Sequence, residues 1–285
     1  MVADAVPSIT NGQEQSVLDA CSSGDIVALQ KLFNIHGIEP GSKPIITQCL
    51  YGTWSRVESR SIPSCMIPTT MELLENAVAA KQLAMVEFIF ETYPLFDLSE
   101  GQCVASAVME HPDAAILKRI CDHQRAFASI SMDDHLHTFF TRACEKPPDH
   151  IAPVLNILLD YDADISDGWG GLGALWAAIS RGHSVEVIEK VLKCHLSQHV
   201  PIRSSHAETA IGRGDEDIVA LIFSNDQMEF KANQSARYVE QADKTGDKAI
   251  TAIVQQWVNK KSKQHLSAPR PWLTRTWQKL LRSGP

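Results

Sequence analysis

Apolar positions recur along this chain at the three-and-four spacing of an amphipathic helix. Ile218, Val219, Ile222 and Phe223 make one stripe, and Met85, Val86, Ile89 and Phe90 make another. Ile116, Leu117 and Ile120 give a third, and Val154, Leu155, Leu158 and Leu159 a fourth. A small-residue signature precedes them. Ala20 with Gly24, Ala178 with Gly182, Ala210 with Gly214 and Ala242 with Gly246 share the pattern Ala-x-x-x-Gly, and the last three glycines are 32 residues apart. An alanine lets two helices approach closely, and a glycine can take the left-handed conformation that ends the first of them. Asp215 follows Gly214 where an N-cap belongs. The pattern predicts a helix, a tight turn and a second helix, repeated.

Weaker copies fill much of the interval. Ala77 leads through Lys81, where glycine would stand, into the Met85 stripe. Ala107 leads into Ile116, with Pro112 expected to open the second helix. Ala143 leads, past Lys146, Pro147, Pro148 and Asp149, into Val154. Seven units result, four clear and three degenerate. Residues 41–68 interrupt the stride, with Cys49, Leu50, Tyr51, Trp54 and Val57 amid Ser, Pro and Gly. They read as a long loop packed by its aromatics or as a ruined repeat.

Residues 173–192, GALWAAISRGHSVEVIEKVL, resemble the ankyrin-repeat run T-P-L-H-x-A-A-x-x-G-H-x-E-V-V-K-x-L-L through Leu175, Ala178, Gly182, His183 and Glu186. Asp162, Ala163, Asp164, Asp167, Gly168 and Trp169 resemble the family's finger turn. No unit has a complete T-P-L-H: Gly173, Ala174, Leu175 and Trp176 stand there in the best copy, and Ser205, His206, Ala207 and Glu208 in the next. The resemblance implies an all-α fold, an ankyrin-like helical repeat solenoid of about seven helix–turn–helix units. Its expected extent is residues 13–258, between a disordered N-terminus (1–12) and a basic amphipathic tail (259–285). It also implies action by protein–protein interaction, as a scaffold or adaptor using a concave face. The degenerate style is similar to fungal ankyrin proteins of secondary-metabolite pathways, although the basic-region members carry an N-terminal basic helix that this chain lacks.

The net charge of −8 over 285 residues argues against a dedicated nucleic-acid binder, whose affinity comes from neutralising phosphates. The start has no basic run followed by an apolar core, and nowhere do 18 apolar residues run together. The expectation is a cytoplasmic or nuclear protein. Its seven cysteines, scattered one per segment, suit buried thiols rather than a disulfide framework.

Candidate chemistry is sparse. Gly168, Gly170 and Gly173 satisfy G-x-G-x-x-G, but the dinucleotide fingerprint needs a strand before it, and a helix and Asp162-Ala163-Asp164 stand there. Cys194, His195 and His199 could hold zinc if a fourth ligand such as His206 joined them; the competing reading is a polar helix end. Asp133, Asp134, His135 and His137 place carboxylates beside imidazoles, yet adjacent residues on a helix point different ways, and N-cap acids are the simpler reading. His183 occupies a turn position where the family uses histidine structurally. No G-x-S-x-G nucleophile motif occurs. No catalytic residue, metal or cofactor is assigned.

By the resemblance, the residues before each turn glycine line the concave face. Arg181, Arg213 and Lys244 fall there, with Trp169 on a finger, and Arg and Trp are common interface anchors. From residue 259 onward the chain has seven Lys and Arg and no acid, leaving the remainder at −15. Leu273, Trp277, Leu280 and Leu281 lie on one stripe there, which reads as a basic amphipathic helix or as a cap folding back on the acidic body. The partner-binding candidates are therefore Trp169, Arg181, Arg213, Lys244 and Trp277. The expected partner is another protein with an acidic segment; a weak anionic membrane contact through the tail is a further option, and nucleic acid is not expected. Two other functions fit the sequence: a small cytosolic enzyme with a pocket near His135, His137 or His195 on a repeat scaffold, and a regulator or accessory protein of a fungal secondary-metabolite pathway.

Overall fold

The computed structural model describes residues 11–35, 37–45, 68–132, 137–165, 173–225, 228 and 232–267. Among them are fourteen α-helices in seven consecutive pairs. The first four pairs are α1 (Asn11–Ser23) with α2 (Ile26–Ile35), α3 (Thr70–Ala79) with α4 (Leu83–Thr92), α5 (Gln102–Glu110) with α6 (Ala114–His123), and α7 (Phe139–Cys144) with α8 (Pro148–Asp160). The last three are α9 (Ala174–Arg181) with α10 (Val185–Ser197), α11 (Ser204–Arg213) with α12 (Glu216–Phe223), and α13 (Ala232–Thr245) with α14 (Lys248–Ser267). The chain forms two compact units, Met1–Ala174 and Leu175–Pro285.

The Ala-x-x-x-Gly signature is a helix C-cap. Gly24 (φ 73°), Gly182 (φ 86°), Gly214 (φ 72°) and Gly246 (φ 74°) are all left-handed, and so is Lys81 (φ 57°), the residue standing in for glycine. At three of these turns the alanine carbonyl closes the cap: Asp25 N donates to Ala20 O (2.9 Å), Gln82 N to Ala77 O (2.9 Å) and His183 N to Ala178 O (3.1 Å). With the bond from the left-handed residue itself to the carbonyl three residues earlier, this is the Schellman pattern that satisfies otherwise orphaned carbonyls. Three second helices end the same way without any Ala-x-x-x-Gly signal. There Gly37, Asp162 and His199 are left-handed, and Ile38, Ala163 and Val200 donate to Phe33, Leu158 and His195.

Within the first unit α1 packs on α3 and α3 on α5, while α4 packs on α6 and α6 on α8. The direct α1–α3 contact leaves no helix pair between them, and Ile45 and Thr70 are joined by two hydrogen bonds of 2.9 and 3.1 Å. Residues 46–67, which carry the aromatics of the interruption, lie outside the described residues. Leu73, Leu74, Met85, Ile89 and Tyr93 are fully buried here. Within the second unit α11 packs on α13, and α12 on both α10 and α14, around buried Ile188, Val191, Ala210, Ile211, Ile218, Tyr238 and Val254. Each fully buried large apolar side chain contributes roughly 1.5–3 kcal/mol.

Two local expectations need correction. Pro112 does not begin α6; it precedes Asp113, whose carboxylate caps the helix by accepting from Ala115 N (2.9 Å) and Ile116 N (3.0 Å). A free carboxylate at that place satisfies two orphan amides, which proline cannot. The expected helix N-cap at Asp133 or Asp134 is flanked by strands instead: Ser131–Met132 (β1) pairs antiparallel with His137–Thr138 (β2). The N-cap of α7 is Thr138, whose hydroxyl accepts from Thr141 N. Asp133, Asp134 and His135 lie outside the described residues. The five described cysteines, Cys21, Cys103, Cys121, Cys144 and Cys194, form no disulfide.

Candidate functional site

The three cations expected on one face have different surroundings. Arg181 is the last residue of α9 and is exposed. Lys244, in the last turn of α13, is exposed and pairs with Glu240 at 2.7 Å. Arg213 ends α11 with its side chain only 24% exposed. Its Nη1 donates to His183 O (3.0 Å) and Ile179 O (3.4 Å), and its Nη2 lies 3.6 Å from Asp215. Those carbonyls belong to the end of α9 and its turn, so Arg213 ties one helix pair to the preceding one. Arg has the planar fork of donors for this. Trp169 and Trp277 lie outside the described residues, as do Gly168 and Gly170.

His183 is fully buried in that turn, its N–H on Ala178 and its carbonyl under Arg213. The Cys194–His195–His199 cluster does not converge. His195 is buried, His199 is the exposed left-handed residue that ends α10, and Cys194 accepts from the Gln198 amide at 3.4 Å. Instead His195 meets His206 of α11, ring centroids 5.4 Å apart and planes at 89°.

Backbone partners fix both tautomers. The His195 Nε2 sits 3.2 Å from Pro201 O, an acceptor only, so Nε2 carries the proton. The His206 Nδ1 accepts from Arg203 N at 3.0 Å, so that ring also carries its proton on Nε2. Among the described residues, His195 Nδ1 and His206 Nε2 find no hydrogen-bond partner. Burial, the neighbouring His195 and Arg203 hold His206 down at about 3, and burial and Arg203 lower His195 despite the Pro201 bond. Both rings are therefore neutral at pH 7.

This chemistry does not fit zinc at His206. The metal would need the Nε2 lone pair, leaving a ring that accepts at both nitrogens, an imidazolate. Among the described residues no group of three or more His, Cys, Asp or Glu is placed to hold a metal ion. A groove of about 710 Å³ runs along α14, lined by Gln255, Gln256, Asn259, Lys260 and Gln264. It holds amides and amines but no nucleophile–base pair.

The His206 cap was visible in sequence only as a histidine three residues after Arg203, a place where glutamate or glutamine gives the usual signal. The Arg213 tie had no sequence signal beyond its place before Gly214. The described residues thus define a protein of paired helices with left-handed turns, whose buried polar side chains mainly cap helices and hold the connections between them. No family model matches the chain, and no curated protein matches it. No described helix is long and apolar enough to cross a membrane.

Proposed function

We propose that this chain is a protein-interaction adaptor built on an ankyrin-like repeat solenoid, which binds an acidic segment of another protein in the cytoplasm or nucleus. The observation that supports this reading most is the regular turn: left-handed glycines at a stride of 32 residues, two of them, Gly182 and Gly246, closely preceded by the exposed cations Arg181 and Lys244. Equal strides place equivalent side chains at equivalent positions of successive units, which is how repeat proteins build extended binding surfaces. Arg213 is set apart in this reading, because its guanidinium is engaged with the fold. The recognition elements are Arg181 and Lys244, with Trp169 and Trp277 as apolar anchors.

The experiment is quantitative affinity capture from cell extract with the full chain, compared with Arg181→Glu/Lys244→Glu and with Trp169→Ala. The charge reversal should leave the melt within about 0.5 kcal/mol of wild type, since both residues are exposed. Partners held by the wild type should be lost from the charge variant, and wild-type capture should weaken with salt because exposed charges are screened. Trp169→Ala should weaken capture without changing its salt dependence. Equal capture by all three proteins overturns the assignment of these residues. Capture abolished only by deleting residues 268–285, the part of the basic tail (259–285) that follows α14, would move recognition to that tail.

A further inference from the structure

The first turn of α11 is capped by an atom that can take up a proton. Arg203 is the N-cap and His206 the third helical residue, and His206 Nδ1 reaches back to accept the Arg203 N–H at 3.0 Å. Glutamate or glutamine normally makes this bond. With Nε2 already protonated, a second proton on His206 has one place to go: Nδ1, the capping atom. Protonation would turn the acceptor into a donor facing the Arg203 N–H.

His195 carries the companion problem. Its Nε2–H holds Pro201 O at 3.2 Å, so its second proton must go to Nδ1, which is buried and has no hydrogen-bond partner among the described residues. The two rings thus hold the connection between α10 and α11 from both ends, one through Pro201 and the other through Arg203. They are only 3% and 2% exposed.

Among the described residues no carboxylate acts on either ring. The ionisable groups acting on the rings are Arg203 on both and His195 on His206. On α10, Glu189 pairs with Lys193, and His199 is exposed at the helix end. Glu208 of α11 pairs with Arg237 of α13, and Glu240 of α13 pairs with Lys244. Asp215, ahead of α12, caps Ile218 and lies beside Arg213, while Glu216 and Asp217 are exposed. The buried residues of α12, which packs on both α10 and α11, are Ile218, Val219, Ile222 and Phe223.

We propose that His195 and His206 form a proton-operated latch on the α10–α11 connection: neutral, they hold residues 198–203 in place, and a proton taken up on either Nδ1 releases them. Burial supports this, because it disfavours the imidazolium in the closed state and leaves the open state to titrate as a solvated histidine does. The open state then binds more protons than the closed one, so falling pH favours opening. The latch does not rest on the adaptor reading above.

Amide exchange followed by mass spectrometry on the full chain between pH 7.5 and 5.0, corrected for intrinsic exchange rates, tests it. Below about pH 6.5 the opening of residues 198–206 should rise about tenfold per pH unit for one released histidine, and about a hundredfold for two. His206→Asn keeps an amide oxygen near the place of Nδ1 and cannot titrate, so its slope should fall by about one proton. Ring ¹⁵N shifts of the wild type at pH 7.5 should show both histidines protonated on Nε2. A slope below about threefold per unit overturns the latch, as does an unchanged slope in His206→Asn or a ring protonated on Nδ1. Should His206→Asn fail to fold, the wild-type slope and ring tautomers decide the matter alone.

Discussion

Two arginines in equivalent places before a turn glycine do different things. Arg181 is exposed at the end of α9, whereas Arg213 spans from α11 to the carbonyls of Ile179 and His183. Hydrogen bonds to a charged group contribute about 1.5–3 kcal/mol when buried, and less with partial exposure. Arg213→Ala should therefore lower the urea-unfolding free energy by about 1–2 kcal/mol, while Arg181→Ala should change it by less than about 0.5 kcal/mol. Equal effects would remove Arg213 from the fold. Ala210 is also fixed by its neighbours, fully buried on α11 where it meets α12 and α13. Ala210→Leu should cost roughly 1–3 kcal/mol, because close-packed helices have no room for the added carbons. A melting temperature equal to wild type would show that the contact can open.

At the scale of the element, the turns decide where helices stop. A Cβ built on Gly214 meets nothing within 4 Å, so Gly214→Ala adds only backbone strain of about 1–2 kcal/mol. The loss of glycine's freedom in the unfolded chain partly offsets it, for a net cost of about 0.5–1 kcal/mol. Lys81 gives the reverse experiment. It holds φ 57° with a side chain attached, and Lys81→Gly should stabilise the fold by about 0.5–1 kcal/mol after the extra freedom of glycine in the unfolded chain is set against the relieved strain. Thermal melts of both variants check the pair of signs; destabilisation by Lys81→Gly would mean that its side chain contributes more than the strain costs.

For the whole molecule, each helix in a unit packs mainly on neighbours close in sequence, such as α1 on α2 and α3, and α7 on α8. Stability arranged this way is close to a sum of local and nearest-neighbour contributions. Leu29→Ala removes a fully buried side chain of α2 and should cost about 2–5 kcal/mol locally. Amide exchange should then quicken through α1–α3 while α7 and α8 keep their protection. Uniform loss of protection across all eight helices of that unit would show a single cooperative block instead.

The periodic stripes and the Ala-x-x-x-Gly signature are local properties, set by helix geometry and by the steric freedom of glycine, and they were enough to predict an almost wholly helical chain and the left-handed turns at Gly24, Gly182, Gly214 and Gly246. Lys81 was legible for the same reason: a position in the stride demanded a left-handed residue whatever its side chain. Asp113 displacing Pro112 as the start of α6, and the strand pair on either side of residues 133–136, escaped because competition between caps and backbone pairing turns on partners that spacing does not specify. Arg213 read as a cation of the concave face, and His195 with His206 as zinc candidates or a polar helix end, because their roles depend on a carbonyl 30 residues away in sequence and on a ring across a helix connection. A sequence can reveal what one helix needs to begin, to end and to bury. Which polar atom meets which across two helices, and on which nitrogen a buried imidazole keeps its proton, only the tertiary structure decided, since desolvation leaves those groups no partner but the one the packing brings.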